Sequence, residues 1–172
     1  MYSDAVRREA GLMETTIRPI QGREEIGVCA RMMAGSEPWI TLQRDYDASL
    51  QTLTSPGKEV YVAADGRNIL GFIILNMQGG FTGYIQSIGV APKWRSRGIG
   101  RRLVAYAEKR IFREAPNVFI CVSSFNAGAQ RFYRSLGYEA IGELTDFVVR
   151  GHSEILLRKT IAPWREFKKR PV

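Results

Sequence analysis

The sequence predicts an α+β (mixed α/β) domain whose centre is a mixed, mostly antiparallel sheet. Four segments repeat apolar residues at helical spacings, and seven others have the composition and length of strands. Their order along the chain is β-α-α-β-β-β-α-β-α-β-β, and it contains no internal repeat. The 172 residues, 45% of them hydrophobic, are enough for one domain with a substantial core.

The first elements are a short strand at 15–20 and two helices. Apolar residues spaced by three and four predict a helix over 23–34, which ends at the breaker sequence GSEP. A second helix is predicted over 41–53, where apolar residues again lie four apart.

Three strands are predicted next, over 59–64, 69–77 and 82–90. Turns at Asp65-Gly66 and Gly79-Gly80 join them, so they should form an antiparallel meander. The middle strand is an unbroken apolar run, which predicts burial on both of its faces.

The second half of the chain continues with two helices and three strands, over 98–113, 118–123, 126–137, 138–149 and 153–161. Asn126 is a favourable N-cap for the second of these helices, and Gly137 is a left-handed C-cap. One helix links the strand ending at Val90 to the strand starting at Val118. These two strands should therefore be parallel.

The composition excludes several classes of protein. No apolar run approaches the roughly 18 residues of a membrane span, so no membrane partner is expected. Cys29, Cys121 and the single His152 are too few for a disulfide framework or a usual zinc site, so no metal is expected. The net charge of +8 fits anionic small molecules, nucleic acid or an acidic surface as partners.

The domain itself is expected to span residues 14–161. Residues 1–13 are charged, unlike a secretory signal, and are interpreted as a flexible leader in which Met13 is an alternative start. Residues 162–172 are interpreted as a basic, solvated C-terminal tail. A cytoplasmic location is the default expectation for such a chain.

The segment VAPKWRSRGIGRRL, residues 90–103, joins a strand to the longest predicted helix. It is not a Walker loop, because it has no Gly-Lys-Ser/Thr, and it lacks the third glycine of a dinucleotide fingerprint. Gly98 and Gly100 would let phosphate oxygens contact unpaired amides at the positive end of the helix dipole. The interpretation is a pyrophosphate site, and the alternative is a glycine-rich turn with a basic, solvated rim.

Two motifs resemble those of the GCN5-related N-acetyltransferase (GNAT) family. They are R-x-x-G-x-G, which begins at Arg95, and N-x-x-A-x-x-F-Y-x-x-x-G-Y, which begins at Asn126. The resemblance covers residues 15–161 and includes the order of the elements. It implies that the two parallel strands splay apart around acetyl-CoA. It also implies direct transfer of the acetyl group to a primary amine of a small molecule, peptide or protein.

The resemblance further implies which residues hold the coenzyme. The backbone of Ile88 and Val90 would bond the acetyl carbonyl and the pantetheine arm, and the Val90 N–H would stabilise an oxyanion. Amides of residues 97–101 would hold the pyrophosphate, Asn126 would reach the pantetheine, and Tyr133 would protonate the departing thiolate. A helix cap alone for Asn126, and a core aromatic for Tyr133, are the alternatives. The complete predicted set is Ile88, Gly89, Val90, Arg95, Ser96, Arg97, Gly98, Ile99, Gly100, Arg101, Asn126 and Tyr133.

Neither of the two strands implied to splay carries a carboxylate that could act as general base. The first offers only Gln86, and the second has Cys121 where some amino-terminal acetyltransferases of the family carry glutamate. Deprotonating a free lysine at pH 7 costs about 4–5 kcal/mol, and an α-amine only about 1–1.5 kcal/mol, so a weakly basic amine is favoured. Cys121 as a covalent nucleophile is disfavoured against an inert core thiol. The other route to a base is water relayed from one of Glu37, Asp45, Asp47, His152 or Glu154.

The acceptor pocket is predicted between the 37–39 loop, residues 44–47 and the last hairpin. The acidic residues there would attract a cationic amine, or they form the solvated face of a helix, which is slightly favoured. A non-catalytic acyl-CoA sensor and a basic nucleic-acid-binding module are the alternatives to an enzyme. Nucleic acid is disfavoured because the basic loop offers only Trp94 for base stacking. A homodimer is left open.

Overall fold

A computed structural model describes residues 15–169 and confirms the predicted class and element order. The proposed leader with Met13 and the last three residues of the tail lie outside the described residues. The part of the chain that is described contains no helix with the length and apolar character needed to cross a bilayer. The strands are β1 (Thr16–Pro19), β2 (Lys58–Asp65), β3 (Asn68–Asn76), β4 (Tyr84–Val90), β5 (Asn117–Ser123), β6 (Glu139–Leu144) and β7 (Glu154–Thr160), and the helices are α1 (Gly22–Ala34), α2 (Tyr46–Thr54), α3 (Ile99–Ile111) and α4 (Ala127–Ser135).

The seven strands form one sheet in the order β1-β2-β3-β4-β5-β7-β6. The meander of β2, β3 and β4 is antiparallel, as the short turns predicted. The pair β4 and β5 is parallel, because α3 carries the chain back over one face before β5 begins. The sheet is therefore mixed, with its single parallel pair in the middle.

Helices cover both faces of the sheet and make two hydrophobic clusters. Side chains of α3 and α4, among them Leu103 and Tyr133, pack with one face of the sheet. Side chains of α1 and α2, such as Met33 and Leu53, pack with the other face. The strand β3 lies between the clusters, and residues 70–75 are all buried, which confirms the burial predicted from its unbroken apolar run.

Two predicted boundaries were wrong. Helix α2 begins at Tyr46, not near residue 41, because the Asp45 carboxylate caps it by accepting from the Ala48 amide at 2.8 Å. The residues before Asp45 form turns instead. The strand predicted over 138–149 ends at Leu144, and a loop follows in which the Asp146 side chain accepts from the Gly151 amide at 2.6 Å.

Candidate active site

The parallel strands β4 and β5 pair only at their beginnings and then separate. Tyr84 and Ile85 are opposite Phe119 and Ile120, and no pair follows among the described residues. A bulge in β4 accounts for the separation. Leu75 and Ile74 of β3 face Ile85 and Ser87, so the intervening Gln86 is an extra residue that bends β4. The splay that the family resemblance implied is confirmed, and it leaves a wedge in the middle of the sheet.

A cavity of about 650 Å³ occupies the wedge. Its walls include residues 86–88 of β4, residues 120–123 of β5 and Tyr133 of α4. Alternate residues of β5, among them Val122, pack in the cluster under α3 and α4, so Cys121 and Ser123 point to the face that carries α1 and α2. The cavity thus connects the two faces of the sheet through the gap between the strands.

The free edge of β4 presents backbone groups to this cavity. Ala91 donates to the Leu70 carbonyl of β3 at 2.9 Å, and the residues of an antiparallel ladder alternate between bonded and unbonded pairs. Ile88 and Val90 therefore turn their N–H and C=O groups away from β3, towards the wedge. The Val90 carbonyl accepts from Nε of Arg95 at 3.1 Å, and the Ile88 groups and the Val90 N–H are left to a ligand.

The glycine loop ends at the N-terminus of α3 as predicted. Gly98 is the N-cap with φ +81°, a conformation that side chains rarely adopt, and a Cβ built there meets no atom within 4 Å. Among residues 15–169, the amides of residues 97–101 donate no hydrogen bond to a backbone carbonyl. These amides and the open space beside Gly98 are suited to an anionic group.

The arginines around this loop do not all point to it. Arg95 is bound to the Val90 carbonyl and lies 3.4 Å from the Ser36 hydroxyl, so it ties the end of β4 to the loop after α1. The guanidinium of Arg97 lies 5.1 Å from the centre of the Trp94 ring. Arg102 donates to the carbonyl of Thr15 and is turned away. The basic residues of the segment therefore do not all place their charge beside the amides of the loop.

Gly89, which the resemblance placed among the coenzyme ligands, has a packing role in the structure. A Cβ at this position would lie 2.5 Å from Cε1 of Phe72 and 3.2 Å from the Trp39 ring. Its backbone pairs with Phe72 of β3 in the ladder, on the side away from the wedge. The glycine is therefore required by the neighbouring aromatic rings.

Asn126 and Tyr133 both line the cavity, from the two ends of one short stretch of chain. The Asn126 side chain accepts from the Ala129 amide at 3.0 Å, which confirms the predicted helix cap. Tyr133 is 2% exposed, and its hydroxyl has no hydrogen-bond partner within the described residues. Burial, and then the nearby Tyr84, raise the pKa of the Tyr133 phenol above its ordinary value.

Glu154, at the start of β7, supplies the carboxylate that neither splayed strand has. It is 5% exposed, lines the cavity and faces Ser123 across the β5–β7 ladder. The Ser123 hydroxyl donates to its Oε1 at 2.6 Å. Burial raises the pKa of this carboxyl above its ordinary value of 4.5, and the hydrogen bond from Ser123 opposes that rise. The sequence indicated Glu154 only as one of five sources of a relayed water.

Cys121 lies in the cavity wall, half-buried, and the expectation of a core thiol was wrong. Its side chain faces α1 and α2, between Tyr84 and Glu154. Burial raises the pKa of the thiol, and the Glu154 charge raises it further, although Tyr84 opposes both. The thiol therefore stays protonated at neutral pH, which makes it a poor nucleophile.

Several of the residues predicted to form the acceptor pocket line the cavity, but the predicted carboxylates do not. Pro38, Trp39 and Arg44 line the cavity on the α2 side, and Phe147 and Val148 line it beside the last hairpin. The acidic groups are engaged elsewhere: the Glu37 carboxylate bonds the amide and hydroxyl of Thr41, and Asp45 caps α2. His152, which stacks edge-on against Phe125 at 5.0 Å, and Asp47 are also outside the cavity lining.

Known proteins resemble both the sequence and the structure. Residues 26–138 match the model of the acetyltransferase (GNAT) family. N-alpha-acetyltransferase RimI of Mycobacterium tuberculosis is 30% identical over 116 residues, which are 66% of this chain and 69% of that protein.

Two solved structures share the fold at lower sequence identity. An aminoglycoside 6'-N-acetyltransferase complexed with coenzyme A has a TM-score of 0.71 and 20% identity, and the match covers 86% of this chain and 98% of that one. The spermidine/spermine N-acetyltransferase SpeG of Vibrio cholerae has a TM-score of 0.64 and 17% identity, with 85% and 92% covered.

Proposed function

The chain belongs to the GNAT acetyltransferase family and is an acetyl-CoA-dependent N-acetyltransferase. We propose that it moves the acetyl group directly to a primary amine, with Glu154 as the general base and Tyr133 as the general acid. One observation carries this proposal. Both groups line the same cavity, and they enter it from opposite sides of the sheet, Glu154 beside α1 and α2 and Tyr133 from α4.

The coenzyme fits the groups that the wedge leaves without partners. The amides of residues 97–101 would hold its diphosphate, and the backbone of Ile88 and the Val90 N–H would bond the pantetheine arm and the acetyl carbonyl. Asn126 caps α4 through its oxygen, which leaves its side-chain N–H groups for the pantetheine. When bound, acetyl-CoA supplies an acetyl group that is activated as a thioester.

Glu154 meets the requirements of the base. An amine must lose its proton before or during attack, and a carboxylate with a raised pKa is a better acceptor than an ordinary one. The Ser123 hydroxyl fixes one carboxylate oxygen and leaves the other for the proton. A carboxylate remains a weak base against lysine, so an α-amine with its lower pKa is the favoured acceptor. The relative named an N-alpha-acetyltransferase supports the same choice.

Tyr133 meets the requirements of the acid. Its raised pKa keeps the phenol protonated, and no group among residues 15–169 accepts a hydrogen bond from it. The hydroxyl can therefore donate to the sulfur as negative charge develops there. The same dry surroundings disfavour a free thiolate, so the departing sulfur has a greater need for that proton.

The test of the base is the pH dependence of kcat/KM for E154Q, measured by thiol release. Wild-type activity should fall as the pH drops through the raised pKa of Glu154, above the ordinary carboxyl value of 4.5, because only the ionised form accepts a proton. In the variant, kcat/KM should no longer show this fall at low pH, and kcat should be about 100-fold or more below the wild-type value.

A structural control accompanies this test. A raised folded-state pKa means that the folded protein binds the proton more tightly than the unfolded chain. The contribution of Glu154 to the free energy of unfolding is therefore lost as the pH rises through that pKa. The free energy of unfolding of E154Q should not show this decrease. E143Q, on the exposed face of β6, is the matched control and should keep the wild-type profile. A kcat for E154Q within threefold of wild type would remove Glu154 from the mechanism.

A further inference from the structure

The wall of the cavity on the α2 side carries positive charge without a matching negative charge. Arg44 and Lys58 line the cavity, and both are half-buried. Neither forms an ion pair with any carboxylate between residues 15 and 169. Glu154 is the one acidic residue of the lining in that part of the chain.

Lys58 is too far from the diphosphate site to serve it. Lys58 pairs with Asn76, and Asn76 pairs with Tyr84, so the three lie in one row across the sheet at the start of β4. The loop before α3 follows Val90 at the other end of the strand. Six residue steps at 3.3 Å separate Tyr84 from Val90, a distance of about 20 Å. A ligand that reaches Lys58 is therefore the acceptor.

Arg44 is held in place with most of its donors unused. Its amide donates to the Trp39 carbonyl at 2.9 Å, and its Nη1 donates to the Thr52 hydroxyl at 2.8 Å. A guanidinium has five N–H donors in a planar fork that matches a carboxylate. The Lys58 ammonium has no acceptor among the described side chains and carbonyls. Apolar residues, including Leu42 and Phe81, complete this end of the cavity.

We propose that the acceptor carries a carboxylate a few bonds from its amine, as acidic peptide N-termini and amino acids do, and that Arg44 and Lys58 bind this carboxylate. The inference rests on the proposed amine acetylation and names its substrate class. Polycationic amines such as aminoglycosides and polyamines, which give the two fold neighbours their names, are poor acceptors for this chain. Their charges would be repelled by the two cations.

The test compares acceptors that differ only in the carboxylate, at saturating acetyl-CoA and by thiol release. Pentapeptides that begin Ala-Asp and Ala-Asn form one arm. Leucine and leucinamide, compared at equal concentrations of unprotonated amine, form the other, and spermidine is added to both. The expected result is a kcat/KM about tenfold or more higher for the acidic member of at least one arm, with spermidine lowest. The arm that responds identifies a peptide or an amino acid as the source of the carboxylate.

Variants then assign the preference to the two cations. In R44Q and in K58Q the acid-to-amide ratio should fall towards one, while R67Q, in the exposed turn between β2 and β3, should keep the wild-type ratio. Equal kcat/KM for acid and amide in both arms, or preference for spermidine, overturns the inference and leaves amine acetylation intact.

Failure of the proposed acetylation can be told apart from failure of the carboxylate preference. If no acceptor is turned over although coenzyme A still binds, the proposed function fails. Calorimetric binding of the Ala-Asp and Ala-Asn peptides to the coenzyme A complex then tests the carboxylate preference without turnover. Tighter binding of the acidic peptide supports the inference, and equal binding refutes it.

Discussion

Replacing Tyr133 by phenylalanine removes one oxygen atom from the cavity wall and leaves the packing of the ring in place. The ring meets Phe132 and Tyr138 edge-on at 5.1 and 5.3 Å, and these contacts do not involve the hydroxyl. A buried hydroxyl without a hydrogen bond costs about 1–3 kcal/mol. We therefore expect the free energy of unfolding of Y133F to equal or exceed that of the wild type. Each added kcal/mol would raise Tm by about 2–4 °C.

Activity should respond in the opposite direction. Positioned acids and bases contribute about 10²–10⁴ to the rate, and without the Tyr133 proton the departing thiolate must leave unassisted. Steady-state thiol release should show kcat lowered at least tenfold. Calorimetry should show nearly unchanged affinity for acetyl-CoA, because the hydroxyl is only one of many contacts of a large ligand.

Y138F is the matched control. Tyr138 is also 2% exposed and its hydroxyl lies beside Glu108, outside the cavity lining. This variant loses the same atom in the same core and should keep kcat. The reasoning is refuted if Y133F has the kcat of the wild type, or if both variants lose activity to the same degree.

Three further predictions concern the glycines and the cavity thiol. G98V should weaken coenzyme A binding more than tenfold by calorimetry. G66V, at a second glycine with positive φ and no atom within 4 Å of its Cβ, should incur similar strain and bind normally. G89A should lower the free energy of unfolding in urea by about 1–3 kcal/mol, because its Cβ would meet Phe72, and wild-type stability would contradict this packing role. Alkylation of Cys121, followed by mass spectrometry, should keep accelerating above pH 9.0 because its raised pKa delays thiolate formation, and a plateau below that pH would exclude the shift.

The fold could be predicted from the sequence because helices and strands leave local periodic signals, but the ends of two elements could not. The spacing of four from Leu42 through Tyr46 continues across the cap at Asp45, so the pattern did not mark where α2 begins. Phe147 and Val148 continue the apolar character of β6 beyond Leu144, but they face the cavity and not the sheet. Leu42, like Phe147 and Val148, lines the cavity.

The two halves of the site differ in how well they could be predicted from the sequence. The proposed coenzyme half is built from continuous segments, and its glycines and Asn126 have backbone roles that a motif expresses. The proposed base, Glu154, accepts a hydrogen bond from Ser123 at a separation of 31 residues. Its place depends on β7 lying beside β5 in one register, and no local pattern around Glu154 states that register.

The extra residue in β4 has a genetic consequence. The gap between β4 and β5 depends on Gln86, which has no partner of its own on β3. Loss of that single codon would leave the neighbours of β3 matched as they are now and straighten the strand. The straightened strand would lie along β5, gain backbone pairs and close the chamber. The irregularity in β4 is therefore a feature on which the open cavity depends.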